Sequence, residues 1–462
     1  MKRSLLRRIV EPARELPAER RFFSGRDLRA MIIPLVIEQM LQMVVGIADT
    51  LMVSYAGEAT VSGVSLDTMI YVIFIYLFTA VATGGAVIVS QYLGSKDRQS
   101  ADEAASQIFM MAGVLSLGCV ALALLAGPAI LRLLYPTVEP AVMDACQIYL
   151  RIVALSFPAN AIYNAGAAMY RSMGKTRTTM LVSSAMNLIN VVGNAIGIFV
   201  LKAGAAGVAW PTTISWYFAA VVMTVLCMNR KAEVSVRPKL IFRIQGKMDG
   251  RILHIAVPNA IENVLFQLAK VVLGSLVATF GTSQIAANGI GQTLWALSAC
   301  MSVSMNPVFI TVIGRCMGAG DADAADWYMN HLTRLDTLLS FGWNALFLLL
   351  MPLILPLYSI TPETYNLVWI IVVIHSVGAA FLHPIAFPLS AGLRAAGDVK
   401  FTMWAAILCT VGIRTAFSFL LGLGFGLGVI GVALAMVIDW MFKGAMDVWR
   451  WRSGKWKQFK VI

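Results

Sequence analysis

Long apolar stretches recur along the chain, separated by short clusters of Gly, Pro and charged residues. Twelve of them, at about 31–56, 66–92, 104–130, 143–169, 178–201, 205–228, 252–280, 285–314, 333–358, 366–392, 402–425 and 428–448, have the length of roughly 20 residues that carries a helix across a hydrocarbon core about 30 Å thick. The pattern predicts an all-α integral membrane protein of twelve transmembrane helices. About thirty residues rich in Arg and Glu precede the first apolar stretch, with no small-residue cleavage site after it, so it reads as a retained helix rather than a signal peptide. The expected layout is a cytoplasmic N-terminal segment (1–30), a first lobe of six helices (31–230), a cytoplasmic linker (231–251), a second lobe of six helices (252–448) and a cytoplasmic tail (449–462).

Composition agrees, with 59% hydrophobic and 13% charged residues over 462 positions, too apolar for soluble domains. The net charge of +12 raises nucleic acid as a partner, and the placement of the basic residues removes it. Nine Lys and Arg precede residue 30, seven lie from Arg230 to Arg251, and six from Lys443 onward. With the basic residues at 96–98, 171–177, 315, 334, 394 and 400, 31 of the 36 fall on one side of the twelve-helix arrangement. That side is the cytoplasmic one, which puts both termini inside. The six cysteines stand singly without metal spacing, and His375 and His383 lie eight positions apart with no Cys or carboxylate ligand between them. No resident metal or cofactor is expected.

The chain also repeats itself. At an offset of 224, Pro34, Glu38 and Gly57 fall on Pro258, Glu262 and Gly281, Gly94 and Asp97 on Gly318 and Asp321, and Trp216 on Trp440. Arg171 and Gly174 match Arg394 and Gly397 at 223. Two six-helix halves of common origin insert with the same orientation, and transporters of this plan place substrate between lobes near mid-membrane.

The residues that carry a family resemblance are IEQMLQMVVGIADTLMVSYAGEATVSGVSL, VIVSQYLGSKD, RSMGKTRTTM, NLINVVGN, PNAIENVLFQLAK and FGTSQIAANGI. Together they resemble the bacterial branch of the MATE (multidrug and toxic compound extrusion) family over roughly residues 28 to 448. The resemblance implies two six-helix lobes forming a V-shaped central cavity, in a monomer of the bacterial cytoplasmic (inner) membrane. It also implies export of amphipathic, often cationic, drugs against an inward flow of protons or Na⁺.

Ionisable groups inside membrane helices are costly and are functional candidates by default. Asp49 lies about 27 Å of helical rise from the cytoplasmic end of helix 1, and the resemblance matches it to the acid that binds the coupling cation. Asn190 and Asn194 share one face of helix 5, and Thr212 on helix 6 lies at similar depth. One carboxylate, two amides and a hydroxyl form an oxygen-rich set suited to Na⁺ or a proton. Where some family members carry a second Asp, this chain has Asn194. In the second half these positions become Leu273, Arg414 and Ser418, so the cluster belongs to the first half alone. Glu38 and Glu262 are a symmetric pair, with Glu38 expected on the cavity side like Asp49. Glu262 is expected either to pair with Lys270 or Arg414 as a structural tie, or to meet cationic drug or carry protons. Asp439 and Arg151 read as structural pairs.

An ATP-driven pump is disfavoured, because Gly174-Lys175-Thr176 ends a Walker-like run whose upstream glycine is replaced by Met169. Enzyme and receptor readings lack a nucleophile, a metal cluster or a soluble domain. Within transport the rival is a flippase of lipid-linked precursors or another metabolite exporter of the same superfamily.

Overall fold

The computed structural model describes residue 12 and residues 16–136, 138–358 and 360–462. Among them the protein is helical. Eleven helices are long and apolar enough to cross a membrane, and a bent pair supplies a twelfth. In the first lobe these are α1 (Gly25–Ser54), α2 (Glu58–Gly94), α3 (Arg98–Leu125), α4 (Pro140–Ala154, then Phe157–Ser172 after a 48° bend), α5 (Thr176–Ala195, continued by the π turn Ile196–Val200) and α6 (Gly204–Cys227). In the second they are α7 (Gly246–Ala278), α8 (Thr282–Gly318), α9 (Ala322–Ile354), α10 (Pro362–Phe381, prolonged by His383–Ala386 and Pro388–Ala395), α11 (Val399–Ile407 to the π turn Leu420–Gly424) and α12 (Gly428–Arg452). The bend in α4 follows from Pro158, whose ring cannot join an unbroken helix across Leu155 and Ser156.

Burial is inverted relative to a soluble protein. Leu125, Val200 and Leu357 point outward, while Asp67, Ser90, Asn160, Asn194, Asp336 and Asn344 are buried. Apolar outer faces suit lipid, and polar groups survive where protein partners surround them.

The repeat is visible in the local geometry. α2 and α8 both run 37 residues. Each begins after a glycine at positive φ, Gly57 (100°) and Gly281 (98°), a conformation L side chains avoid. The next helices are capped alike, with Asp97 accepting from Ser100 N at 3.0 Å and Asp321 from Ala324 N at 2.9 Å. α5 with its π turn has 25 residues and α11 has 26. The repeat offset steps from 223 at Gly174/Gly397 to 224 at Gly207/Gly431, so α11 holds one inserted residue. The π turn Leu408–Arg414, where α5 is ordinary α-helix, houses it, as a π-bulge accommodates a single added residue.

The chain divides into two compact units. One is Arg29–Ala260, and the other combines Ile261–Ile462 with the described residues up to Leu28. The N-terminal segment is tied to the second unit. Phe23 N donates to Tyr328 Oη at 2.9 Å, and that hydroxyl donates back to Phe23 O at 2.8 Å. Arg20 pairs with Asp321, holding that carboxyl below its usual range. The linker, in turn, packs on the first lobe. Arg237 pairs with buried Asp102 at 2.6 Å, and Gln107 donates to the carbonyls of Leu240 and Arg243 at 2.9 and 2.8 Å.

Candidate functional site

In the first lobe, α5 and α6 approach backbone to backbone. A Cβ on Gly197 would lie 2.0 Å from Gly207 O, one on Gly207 2.6 Å from Gly197 O, and one on Gly193 2.6 Å from Pro211 Cβ. Small residues permit such contact between membrane helices. It brings Asn190 and Asn194 against Thr212, with Asp49 of α1 facing them. A substitution at this contact meets main-chain atoms that cannot rotate away. Gly207→Ala is therefore expected to destabilise by about 1–3 kcal/mol and lower the melting temperature of the purified protein. Gly46→Ala, with open space around the added methyl, is the control, and equal melting of the two would refute the account.

Asn194 Nδ2 donates to Asp49 Oδ1 at 2.9 Å and to Asn190 Oδ1 at 3.2 Å. Asn190 Nδ2 donates to Thr212 Oγ1 at 3.1 Å, and Thr212 donates to Val208 O at 2.9 Å. In this orientation the Asn190 amide oxygen lies 3.0 and 3.1 Å from the two Asp49 oxygens. Three oxygens facing one another are unfavourable, and turning the amide over relieves this. With the amide turned over, its nitrogen donates to both Asp49 oxygens and its oxygen accepts from Thr212 at 3.1 Å. The turned amide is the orientation that satisfies both of its ends, and it gives Asp49 amide donors from Asn190 and Asn194. Tyr149 of α4, 8% exposed, lies beside Thr212 and within electrostatic reach of Asp49. A tyrosine in an apolar stretch gives no sequence signal, and its place here depends on how α4 packs.

The glutamates sit differently from expectation. Glu38, 3% exposed, accepts from Arg171 at 2.8 Å and from Thr179 Oγ1 at 3.3 Å. It is therefore held inside the first lobe. Glu262 pairs with Arg394 at 2.6 Å and Lys443 at 3.2 Å, not with Lys270 or Arg414. Lys270 is eight residues along the same helix, about 12 Å of rise away, too far for direct contact. The sequence did hold the signal, because Glu38/Glu262 and Arg171/Arg394 are both matched pairs of the repeat, and each lobe joins its own two.

Lys270 and Arg414 lie near one another around Phe266, apart from the Glu262 cluster. Asp439 is buried with Oδ1 unpartnered and lies in reach of Arg414, while Arg151 is exposed on α4. Among the described residues, five buried acids escaped the sequence reading: Asp102 and Asp398, which pair with Arg237 and Arg450, and Asp67, Asp336 and Asp447. Asp67 has both oxygens unpartnered, Asp336 accepts from Ser302 and Ser340 at 3.1 Å each, and Asp447 has both oxygens unpartnered. Asp67 and Asp336 fall among the first positions of the apolar runs at 66 and 333, where they read as helix ends, but α2 starts at Glu58 and α9 at Ala322, so both lie more than two turns inside their helices. A hydropathy window detects the apolar run and misses the amphipathic turns that the packed helix adds.

The MatE family model matches residues 34–196 and again 258–420, the two repeats found above. The chain is 28% identical to the "Uncharacterized transporter YisQ" of Bacillus subtilis (strain 168), over 96% of each chain. It is 23% identical to the "Probable multidrug resistance protein NorM" of Thermotoga maritima, over all of this chain and 98% of the relative. Among solved structures, one described as the outward-facing conformation of a multidrug resistance MATE family transporter superposes with a TM-score of 0.87 at 19% identity. That match covers 92% of this chain and 95% of the other.

Proposed function

Since the chain belongs to the MatE family, a family of multi-pass membrane transporters, we propose that it is a secondary active exporter of amphipathic small molecules driven by protons or Na⁺. The observation that carries the coupling is the convergence of Asp49, Asn190, Asn194 and Thr212 on one point. A single carboxylate surrounded by neutral oxygens binds a proton or Na⁺ and releases it without leaving a large unpaired charge. Coupling follows when cation and cargo favour different states of the protein. A cation arriving at Asp49 tightens α1 against α5 and α6 and lowers affinity for cargo, which leaves on the far side. The basic residues on one side of the chain support a cytoplasmic-membrane location with both termini inside, and the multidrug relative supports a small-molecule cargo.

The test is dye efflux from proteoliposomes under a pH gradient alone and a Na⁺ gradient alone. Efflux under one gradient, with substrate-dependent flux of that ion, is the expected result. Dye movement under neither gradient would sink the proposal.

A further inference from the structure

We infer that the second lobe carries a binding site for an amphipathic organic anion, formed by Lys270 and Arg414 around Phe266. This rests on the exporter reading and names a cargo class for it.

The repeat frames the argument. Where the first lobe has Gly46, Gln42 and Asn190, the second has Lys270, Phe266 and Arg414, and the position of Asp49 is taken by Leu273. One lobe sets neutral groups around an acid, and the other sets cations where no acid remains at that position. The π turn Leu408–Arg414 places the arginine at its end, and such turns recur at functional sites.

The geometry is that of a site made of donors. Lys270 Nζ lies 4.9 Å from the centroid of Phe266 and 6.0 Å from that of Trp295, and Arg414 Cζ lies 5.8 Å from Phe266. Arg414 is 3% exposed, its Nε has no partner, and its Nη2 reaches only Met436 Sδ at 3.0 Å, a weak acceptor. Among the described residues neither cation makes an ion pair within 4 Å, in contrast to Arg394 and Lys443, which share Glu262. Trp295 Nε1 and both nitrogens of buried His375, which faces Arg414, are also unpartnered. Among the described residues Asp439 is the carboxylate in electrostatic range of Arg414, so two positive charges face one negative.

A buried cation without an ion pair, such as Arg414, is costly inside a membrane protein, and the half-buried Lys270 beside it repels it. An anion relieves both effects. Lys, Arg and Trp side chains offer donors and no acceptor, and the one nearby carboxylate among the described residues, Asp439, already lies in reach of Arg414, so an anion is favoured here over a cationic cargo. The carboxylate otherwise suited to such cargo, Glu262, is occupied by two cations. Phe266, Trp295 and Trp440, the last stacked on Trp295 at 6.3 Å, supply apolar faces for the body of the ligand. The ligand chemistry is therefore a carboxylate head on an aromatic or aliphatic body.

The test uses two probes of the same shape and opposite charge, 2-naphthoate and 2-naphthylmethylammonium, in equilibrium dialysis with the full-length protein in detergent. Naphthoate is expected to bind at least about tenfold more tightly, the scale of one charge-assisted hydrogen bond. Lys270→Met and Arg414→Met should each lose that preference, and Lys270→Arg should keep it. Equal or tighter binding of the ammonium, or Met variants that bind naphthoate like the parent, would overturn the inference. The readouts also separate it from the exporter reading. Gradient-driven dye efflux without naphthoate binding removes the anion site alone, and naphthoate binding without gradient-driven movement of any probe removes the exporter reading alone.

Discussion

Asp49→Asn is expected to reduce ion-gradient-driven efflux to the level of passive leak while leaving folding and membrane insertion intact. Asn has nearly the shape of Asp, and its side-chain oxygen still accepts from Asn194 Nδ2, the contact that measures 2.9 Å with the acid. The charge is what disappears. A neutral amide gains nothing from a nearby Na⁺ comparable with a carboxylate and does not take up a proton near neutral pH. The differential affinity that links cation to cargo, typically about 1–3 kcal/mol, then vanishes. Cargo exchange without a gradient should continue, because no cargo contact is assigned to Asp49. Parallel efflux and counterflow measurements in proteoliposomes, with melting temperature as the folding control, read the two effects separately. Full gradient-driven efflux by the variant would remove Asp49 from coupling.

The second large effect concerns the buried ion triad. Glu262→Gln leaves the side chains of Arg394 and Lys443, 13% and 3% exposed, without their shared carboxylate. Removing one partner of a buried ion pair costs about 3–5 kcal/mol, here with two cations stranded together. Glu38→Gln removes the carboxylate from Arg171 alone, whose side chain is 25% exposed and reaches solvent more easily, so its cost should be smaller. Lys443→Met keeps the Glu262 to Arg394 pair and should be milder than Glu262→Gln. Joining Lys443→Met to Glu262→Gln should recover part of the loss, because it removes one of the stranded charges. Melting temperatures of the four variants and the parent, purified in detergent, give the order directly. If Glu262→Gln melts with the parent, the triad contributes nothing to stability.

The fold lay open in the sequence because its cause is local. A run of about twenty apolar residues must form a helix in lipid, where no water satisfies the backbone, and the 224 offset shows that the arrangement is made twice. Even the single inserted residue was legible as a change of offset, though only the structure located it, in the π turn of α11. Asp49, Asn190, Asn194 and Thr212 were legible as a set, since helical periodicity fixes a shared face and rise fixes depth. Their meeting within hydrogen-bond distance was not, because it depends on the glycine contact that lets α5 and α6 touch.

Sequence alone determined which residues enter the membrane, that the chain is a duplicated six-helix unit, and that the two halves differ in charge. Tertiary structure decided the partners. Glu38 and Glu262 turned inward to arginines from helices more than a hundred residues away. The linker docked on α3, and, among the described residues, Lys270 and Arg414 were left around Phe266 without an ion pair within 4 Å. Segment hydrophobicity is a sum over neighbouring residues and can be read along the chain. The pairing of buried charges depends on distances of a few ångströms between helices, which arise only when their surfaces pack.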